Sequence, residues 1–222
     1  MIAALVRKEL RELLPFGVLA LLLQGMLVGL AVSSRTQGSI ADAGVIPFVF
    51  TDVLWYTFIV ATLLAVALGL WQTMWENGHG TFLFLLHRPL PREALIGAKL
   101  LTGGTICLVA ALLPVAWYAL WASTPGTHAS PFSWSMTAWA WLWAVQAPLL
   151  YLGAFLSGLR PAKLFGSRFA PLACGVVLFG LLMGLSSVAP FALWPVLLIM
   201  TLVVDACFVF AIVHVAATRD YS

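Results

Sequence analysis

The sequence predicts an all-α integral membrane protein, with one transmembrane domain over residues 1–222. Three observations carry this. Of 222 residues, 63% are hydrophobic and 9% charged, where a soluble domain has roughly a quarter charged. The apolar residues gather into six runs, each long enough at about 1.5 Å per residue to cross a hydrocarbon core of about 30 Å. Between the runs lie the Gly, Pro and charged residues. The formal net charge of +3 would by itself raise nucleic acid as a partner, but the positions of the positive charges explain it better. Membrane lipids are the expected surroundings, and no nucleic acid is expected.

In chain order, Ile2 to Leu14 sets Ile2, Leu5, Val6, Leu10, Leu13 and Leu14 against Arg7, Lys8, Glu9, Arg11 and Glu12. That pattern predicts an amphipathic helix lying in the interface over residues 1–15. It is too charged to span and too short for the apolar core of a signal peptide. Pro15 fits a turn into the first span, Phe16 to Val32, which carries Gln24. Ser33 to Asp52 reads as an external loop. The second span, Val53 to Met74, is framed by Trp55 and Tyr56 at one end and Trp71 and Trp75 at the other, as interfacial aromatic belts require. The third runs from Ala98 to Trp121, and Ser123 to Ser133 forms a short loop with Pro125, Gly126 and Pro131. The fourth, Met136 to Ser157, is rich in Trp at its outer half, where Trp134, Trp139, Trp141 and Trp143 read as belt and packing residues. Phe169 to Val188 and Ala192 to Val215 are the fifth and sixth spans, joined at Ala189-Pro190-Phe191.

Every Lys and Arg except Arg35 falls in the N-terminal helix, after span two, after span four or in the tail. The positive-inside rule therefore places both termini and the long loop after span two in the cytoplasm.

That loop, Glu76 to Lys99, is the most informative stretch. Its charged residues Glu76, Arg88, Arg92, Glu93 and Lys99, with Gly78, Gly80, Pro89 and Pro91, prevent it from crossing a bilayer. Yet Phe82 to Leu86 is as apolar as the spans beside it. Read as a helix of about two turns that Pro89 stops, it places Phe82, Leu85 and Leu86 on one face. Two readings fit that face: it lies in lipid headgroups, or it docks on another protein.

The spacing resembles the membrane subunits of type-2 ATP-binding-cassette exporters. After their second span these carry Glu, three residues, Gly-Thr, a Leu-rich turn, Pro, two residues, Arg, and Lys at the next span. Here Glu76, Gly80-Thr81, Leu85-Leu86, Pro89, Arg92 and Lys99 match without a gap. The chain departs inside the Leu-rich turn, at Leu83 or its neighbours, where the family often has an acid, and at Pro91, where it often has Ser. The resemblance implies that residues 76–97 form a cytoplasmic coupling segment seated on a separate ATPase subunit. It implies that Glu76, Gly80, Thr81, Phe82, Leu85, Leu86, Pro89 and Arg92 make that contact. It further implies a second membrane subunit, identical or related, an N-terminal elbow helix, and residence in a bacterial-type inner membrane. ATP and Mg would sit on the partner. This chain has no G-x-x-x-x-G-K-[ST] phosphate loop, so it is expected to hold no cofactor of its own and to be no enzyme.

Other chemistry is sparse. His79, His87, His128 and His214 carry no ligand spacing, no G-x-S-x-G elbow occurs, and no metal site is expected. Cys107, Cys174 and Cys207 lie in apolar runs and read as buried small hydrophobes. Asp205 is an acid deep in span six, where a charge costs about 2.5 to 3.5 kcal/mol on insertion scales. It is expected to be hydrogen-bonded to Gln24 or Gln146, or to belong with them to a translocation path. Gly25 to Gly29 and Gly180 to Gly184 are G-x-x-x-G patterns that allow close helix approach, within one subunit or across a dimer seam. A second reading of the whole chain is a non-transporting membrane protein, an intramembrane enzyme or assembly factor, with Asp205 and His214 as its polar centre.

Overall fold

The computed structural model describes residues 2–36, 46–48, 52–75, 91–127, 131–160, 165–188 and 190–218. They form α1 (Ile2–Thr36), α2 (Asp52–Leu70) continued by a π-helical turn (Trp71–Trp75), α3 (Arg92–Ser123), a 3₁₀ turn (Trp134–Thr137) leading into α4 (Ala138–Leu159), α5 (Phe165–Val188) and α6 (Pro190–Thr218). Among the described residues six helices are long and apolar enough to cross a membrane, and they coincide with the six runs read from the sequence. Hydrophobic content and length settle such spans before any packing detail does, because backbone polar groups in hydrocarbon must be satisfied within the helix.

The helices alternate in direction. Gln24 Nε2 donates to the Thr57 carbonyl at 2.9 Å and Glu9 meets Gln72, which sets α1 antiparallel to α2. Trp143 packs edge-on against Trp55 near the start of α2, and Gly158 abuts Thr73 near its end, so α2 and α4 run parallel. Leu172 donates its N–H to Ser157 Oγ at 2.9 Å while Trp143 reaches Ser186, so α5 returns antiparallel to α4. α4 is the central helix. Of its most apolar stretch 89% is buried, against 22% for α6 and 28% for α1 and α5. At Gly69 the approach of α2 to α4 leaves no room for a side chain, since a Cβ there would lie 2.8 Å from Phe155 N.

Two apolar clusters fill the bundle. One gathers Leu5, Leu13, Leu68, Leu95, Ile96, Leu149, Phe155 and Ile212. The other gathers Val28, Leu54, Phe58, Val115, Tyr118, Ala140 and Trp143 toward the opposite end. Phe48 joins the second cluster with a left-handed backbone (φ 67), a conformation disfavoured for a residue with a Cβ. Its carbonyl accepts from Trp139 Nε1 at 3.0 Å and its ring lies 5.0 Å from that of Tyr118, contacts that hold the turn in place.

One element departs from the sequence reading. α1 is a single helix through Pro15, with no turn separating an interfacial helix from the first span. Its buried stripe is not the apolar face expected from residues 2–14. Leu10 and Leu14 are exposed, whereas Leu5, Glu9, Leu13, Ala20, Gln24 and Val28 are buried. The spacing of four runs unbroken from Leu5 through Glu9 to Leu13, so the acid lies on the packed face.

Candidate functional site

Glu76, Gly80, Thr81, Phe82, Leu85, Leu86 and Pro89 lie outside the described residues. The helix ends that bracket them are described, and they meet in a buried polar junction. Arg92 opens α3 at an exposed position, and Pro91 before it accepts the N–H groups of Ala94 and Leu95 in the first turn. About two turns further along α3, Lys99 is fully buried.

Lys99 Nζ donates to Glu9 Oε1 at 2.9 Å, with side-chain exposures of 0% and 1%. Glu9 Oε2 accepts from Gln72 Nε2 at 3.1 Å. Gln72 Oε1 in turn accepts from the Tyr151 hydroxyl at 2.7 Å. The Lys99 carbonyl receives both Gln72 Nε2, at 3.3 Å, and Tyr151 OH, at 3.1 Å. Four helices therefore converge: α1 gives Glu9, the π turn gives Gln72, α3 gives Lys99 and α4 gives Tyr151. Lys8 lies 3.6 Å from Glu9 Oε1 and 3.4 Å from Glu12, so a second cation borders the acid from the exposed side.

Local sequence explains the convergence. The wider π turn re-aims successive side chains, and Gln72 and Thr73 are both buried there. Trp71 and Trp75 stack at 4.4 Å on its other side, and Phe16 lies 5.0 Å from Trp71. Gly103 makes the room: a Cβ there would fall on the Tyr151 hydroxyl and 2.6 Å from Gln72 Oε1. Burial of two charges carries a desolvation cost of several kcal/mol each, which their attraction offsets only when the remaining polar atoms are bonded. Here both Glu9 oxygens and both Gln72 amide atoms are. Residues 92–97, read as the end of the coupling segment, are the first turns of α3, and the arrangement ties the helices on either side of residues 76–90 to each other and to α1.

Sequence reasoning missed three of these four residues. In the sequence Lys99 reads as a loop cation and motif end and Glu9 as a charge on the polar face, while nothing sets Gln72 or Tyr151 apart. The available signal was the stripe: Lys99 stands four residues after buried Leu95 and three before buried Thr102, on the packed face of α3.

The other expected residues disperse. Gln24 binds Thr57 and Gln146 makes no hydrogen bond although fully buried, so the expected bond from either to Asp205 is absent. Asp205 Oδ1 is turned inward and has no partner. His214 is exposed and stacks on Phe210 with ring centroids 6.3 Å apart. Gly25 touches Trp117, whereas a Cβ at Gly29, Gly180 or Gly184 would meet nothing within 4 Å. Only Cys107 is buried; Cys174 and Cys207 lie exposed on α5 and α6, because the peripheral helices pack through one face alone.

The class that this build defines is a multi-pass helical membrane protein. The chain matches no protein-family model, no curated protein and no solved structure.

Proposed function

We propose that the chain is the membrane-spanning permease subunit of an ATP-binding-cassette exporter, driven by a separate ATPase that carries ATP and Mg. The observation that carries this is the ungapped pattern Glu76, Gly80-Thr81, Leu85-Leu86, Pro89, Arg92, Lys99, set between two membrane-length helices. The junction supports it. A segment that transmits force from a motor needs stiff ends, and Gln72 and Lys99 are locked on either side of residues 76–91. In this reading the junction end, with Arg7, Arg11, Arg92, Arg160 and Arg168 around it, faces the cytoplasm of a bacterial-type inner membrane. Two such subunits, identical or related, face each other and engage two motors. Gly29 of α1 and Gly180 and Gly184 of α5, where a Cβ would meet nothing within 4 Å, suit close approach across that seam.

The alternative of a polar catalytic centre at Asp205 and His214 fits the geometry poorly. Along α6 the two are about 13 Å and half a turn apart, on opposite faces.

The deciding experiment replaces Leu85 and Leu86 by Ser. If Phe82, Leu85 and Leu86 dock into a groove of the ATPase, the double variant loses about 1.5 to 3 kcal/mol per buried side chain. That is about a hundredfold or more in association. Retention of the ATPase on the immobilised double variant at wild-type level would overturn the assignment. Replacement of Glu76 or Arg92 should instead leave the complex assembled and uncouple ATP hydrolysis from transport, read as ATPase activity without cargo movement in vesicles.

A further inference from the structure

A groove of about 500 Å³ runs between the outer half of α4 and the start of α6, lined by Trp134, Trp141, Leu142, Val145, Trp194 and Leu198. Its size lies in the range of small-molecule sites. Of the tryptophans of the fourth span, Trp139 and Trp143 pack inward against Phe58, whereas Trp134 and Trp141 face this groove. Trp141 Nε1 already donates to Thr137 Oγ1 at 3.0 Å, and the groove offers mainly aromatic and aliphatic surface.

At its inner end the seam changes character. Trp194, Leu198, Thr201, Asp205, Phe208 and Ile212 recur at spacings of four and three, one stripe of α6. The stripe carries the groove residues at one end and the buried Thr201, Phe208 and Ile212 around Asp205. Depth follows from Gly175 of α5, whose Cβ would lie 3.5 Å from Leu149 O and 3.9 Å from Phe208 Cζ. The Leu149 carbonyl and the tip of the Phe208 ring therefore lie at about the same depth. Val145, which lines the groove, stands one turn outward from Leu149, and Asp205 one turn outward from Phe208 on the facing helix. Asp205 Oδ1 points inward without a partner, and among the described residues Asp205 forms no ion pair.

A carboxyl group without partners in an apolar seam is costly, and an intramembrane acid marks a candidate functional site. An acyl chain could fill the groove but would leave that oxygen orphaned. An ammonium group supplies both charge and donors, and Trp faces attract cations. We infer that the α4–α6 seam binds an elongated lipophilic cation, its aromatic or alkyl body in the groove and its ammonium group at Asp205. As the identity of the cargo, this rests on the exporter function proposed above; as a binding site, it stands on the chain alone.

The test uses the purified full chain in lipid nanodiscs with dansylcadaverine, which joins an environment-sensitive ring to a primary amine. Energy transfer from the tryptophans of the chain, of which Trp134, Trp141 and Trp194 line the groove, to the dansyl group reports binding. Saturable transfer is expected, weakened by at least about tenfold when the amine is acetylated, because a charged hydrogen bond is lost. Asp205→Asn should weaken the amine to the level of the acetylated probe and leave the acetylated probe unaffected. Leu198→Trp, which fills the groove, should weaken both. Thermal unfolding of each variant checks that it is folded, and the acetylation comparison needs no variant. Equal affinity for the two probes in the wild-type chain would mean that the groove takes apolar molecules without reading charge, and would overturn the inference. So would the absence of saturable transfer. Either failure leaves ATPase retention by the 76–91 segment untouched, so the two proposals fall separately.

Discussion

At the residue scale the decisive pair is Glu9 with Lys99. Neither charge tolerates loss of the other, because the survivor stays buried without compensation. Lys99→Met should lower stability by about 3–5 kcal/mol, whereas joining it to Glu9→Met should return much of the loss, since apolar replacements of whole buried pairs are often neutral. Thermal unfolding of the three proteins in one detergent checks this, and a double variant less stable than Lys99→Met would contradict the pairing. Both residues were legible as charged and neither as buried. Charge and hydropathy report what a side chain prefers, while burial depends on a partner some ninety positions away in sequence. Asp205 shows the converse. Its depth is evident from its apolar neighbours, but the expected amide bond is absent: Gln24 gives its Nε2 to the Thr57 carbonyl, and the Gln146 amide makes no hydrogen bond.

At the element scale, the spans were readable because twenty or so apolar residues leave few alternatives in a bilayer. α1 was readable only in part. Pro15 removes one backbone donor and was expected to end a helix, yet α1 continues through it. Proline in a helix interior costs about 3 kcal/mol; burial of Leu13 and Gly17 on one side and the Glu9 anchor before it offset that cost. Pro15 is itself exposed, so Pro15→Ala should restore the missing bond without disturbing packing and raise the unfolding temperature. A lowered temperature would mean that α1 depends on a bend that proline imposes. The π turn at Trp71–Trp75 was not readable at all, since no residue type signals it and the packing of Gln72 and Thr73 selects it.

At the scale of the whole molecule, orientation is the first matter to test. In a background with Cys107, Cys174 and Cys207 replaced by Ala, Ser133→Cys should react with a membrane-impermeant maleimide on intact cells. Arg160→Cys should react only after permeabilisation. The reverse pattern would put residues 76–91 outside and remove the basis for a cytosolic motor. The second matter is the face that α1 and α5 leave open. A side chain at Gly29 or Gly180 meets nothing within the chain, so Gly29→Ile and Gly180→Ile should leave the fold intact. If those faces meet in a dimer, the same substitutions should reduce intersubunit cross-linking, and unchanged cross-linking would locate the seam elsewhere.

The burial of α4 bears on how the chain is made. It is the least apolar of the six membrane-length helices and the most enclosed, so lipid alone is a poor host for it. α1, α2 and α3 precede it from the ribosome, and they already hold Glu9, Gln72 and Lys99. When α4 emerges, the Tyr151 hydroxyl finds its acceptors waiting, and the Gly69 and Gly103 surfaces offer the gaps that its side chains and backbone fill. Insertion of the fourth helix is on this geometry expected to be a templated step, with three earlier helices as the receptor for a later one, and a chain truncated before α4 should then hold α1 to α3 together in the membrane.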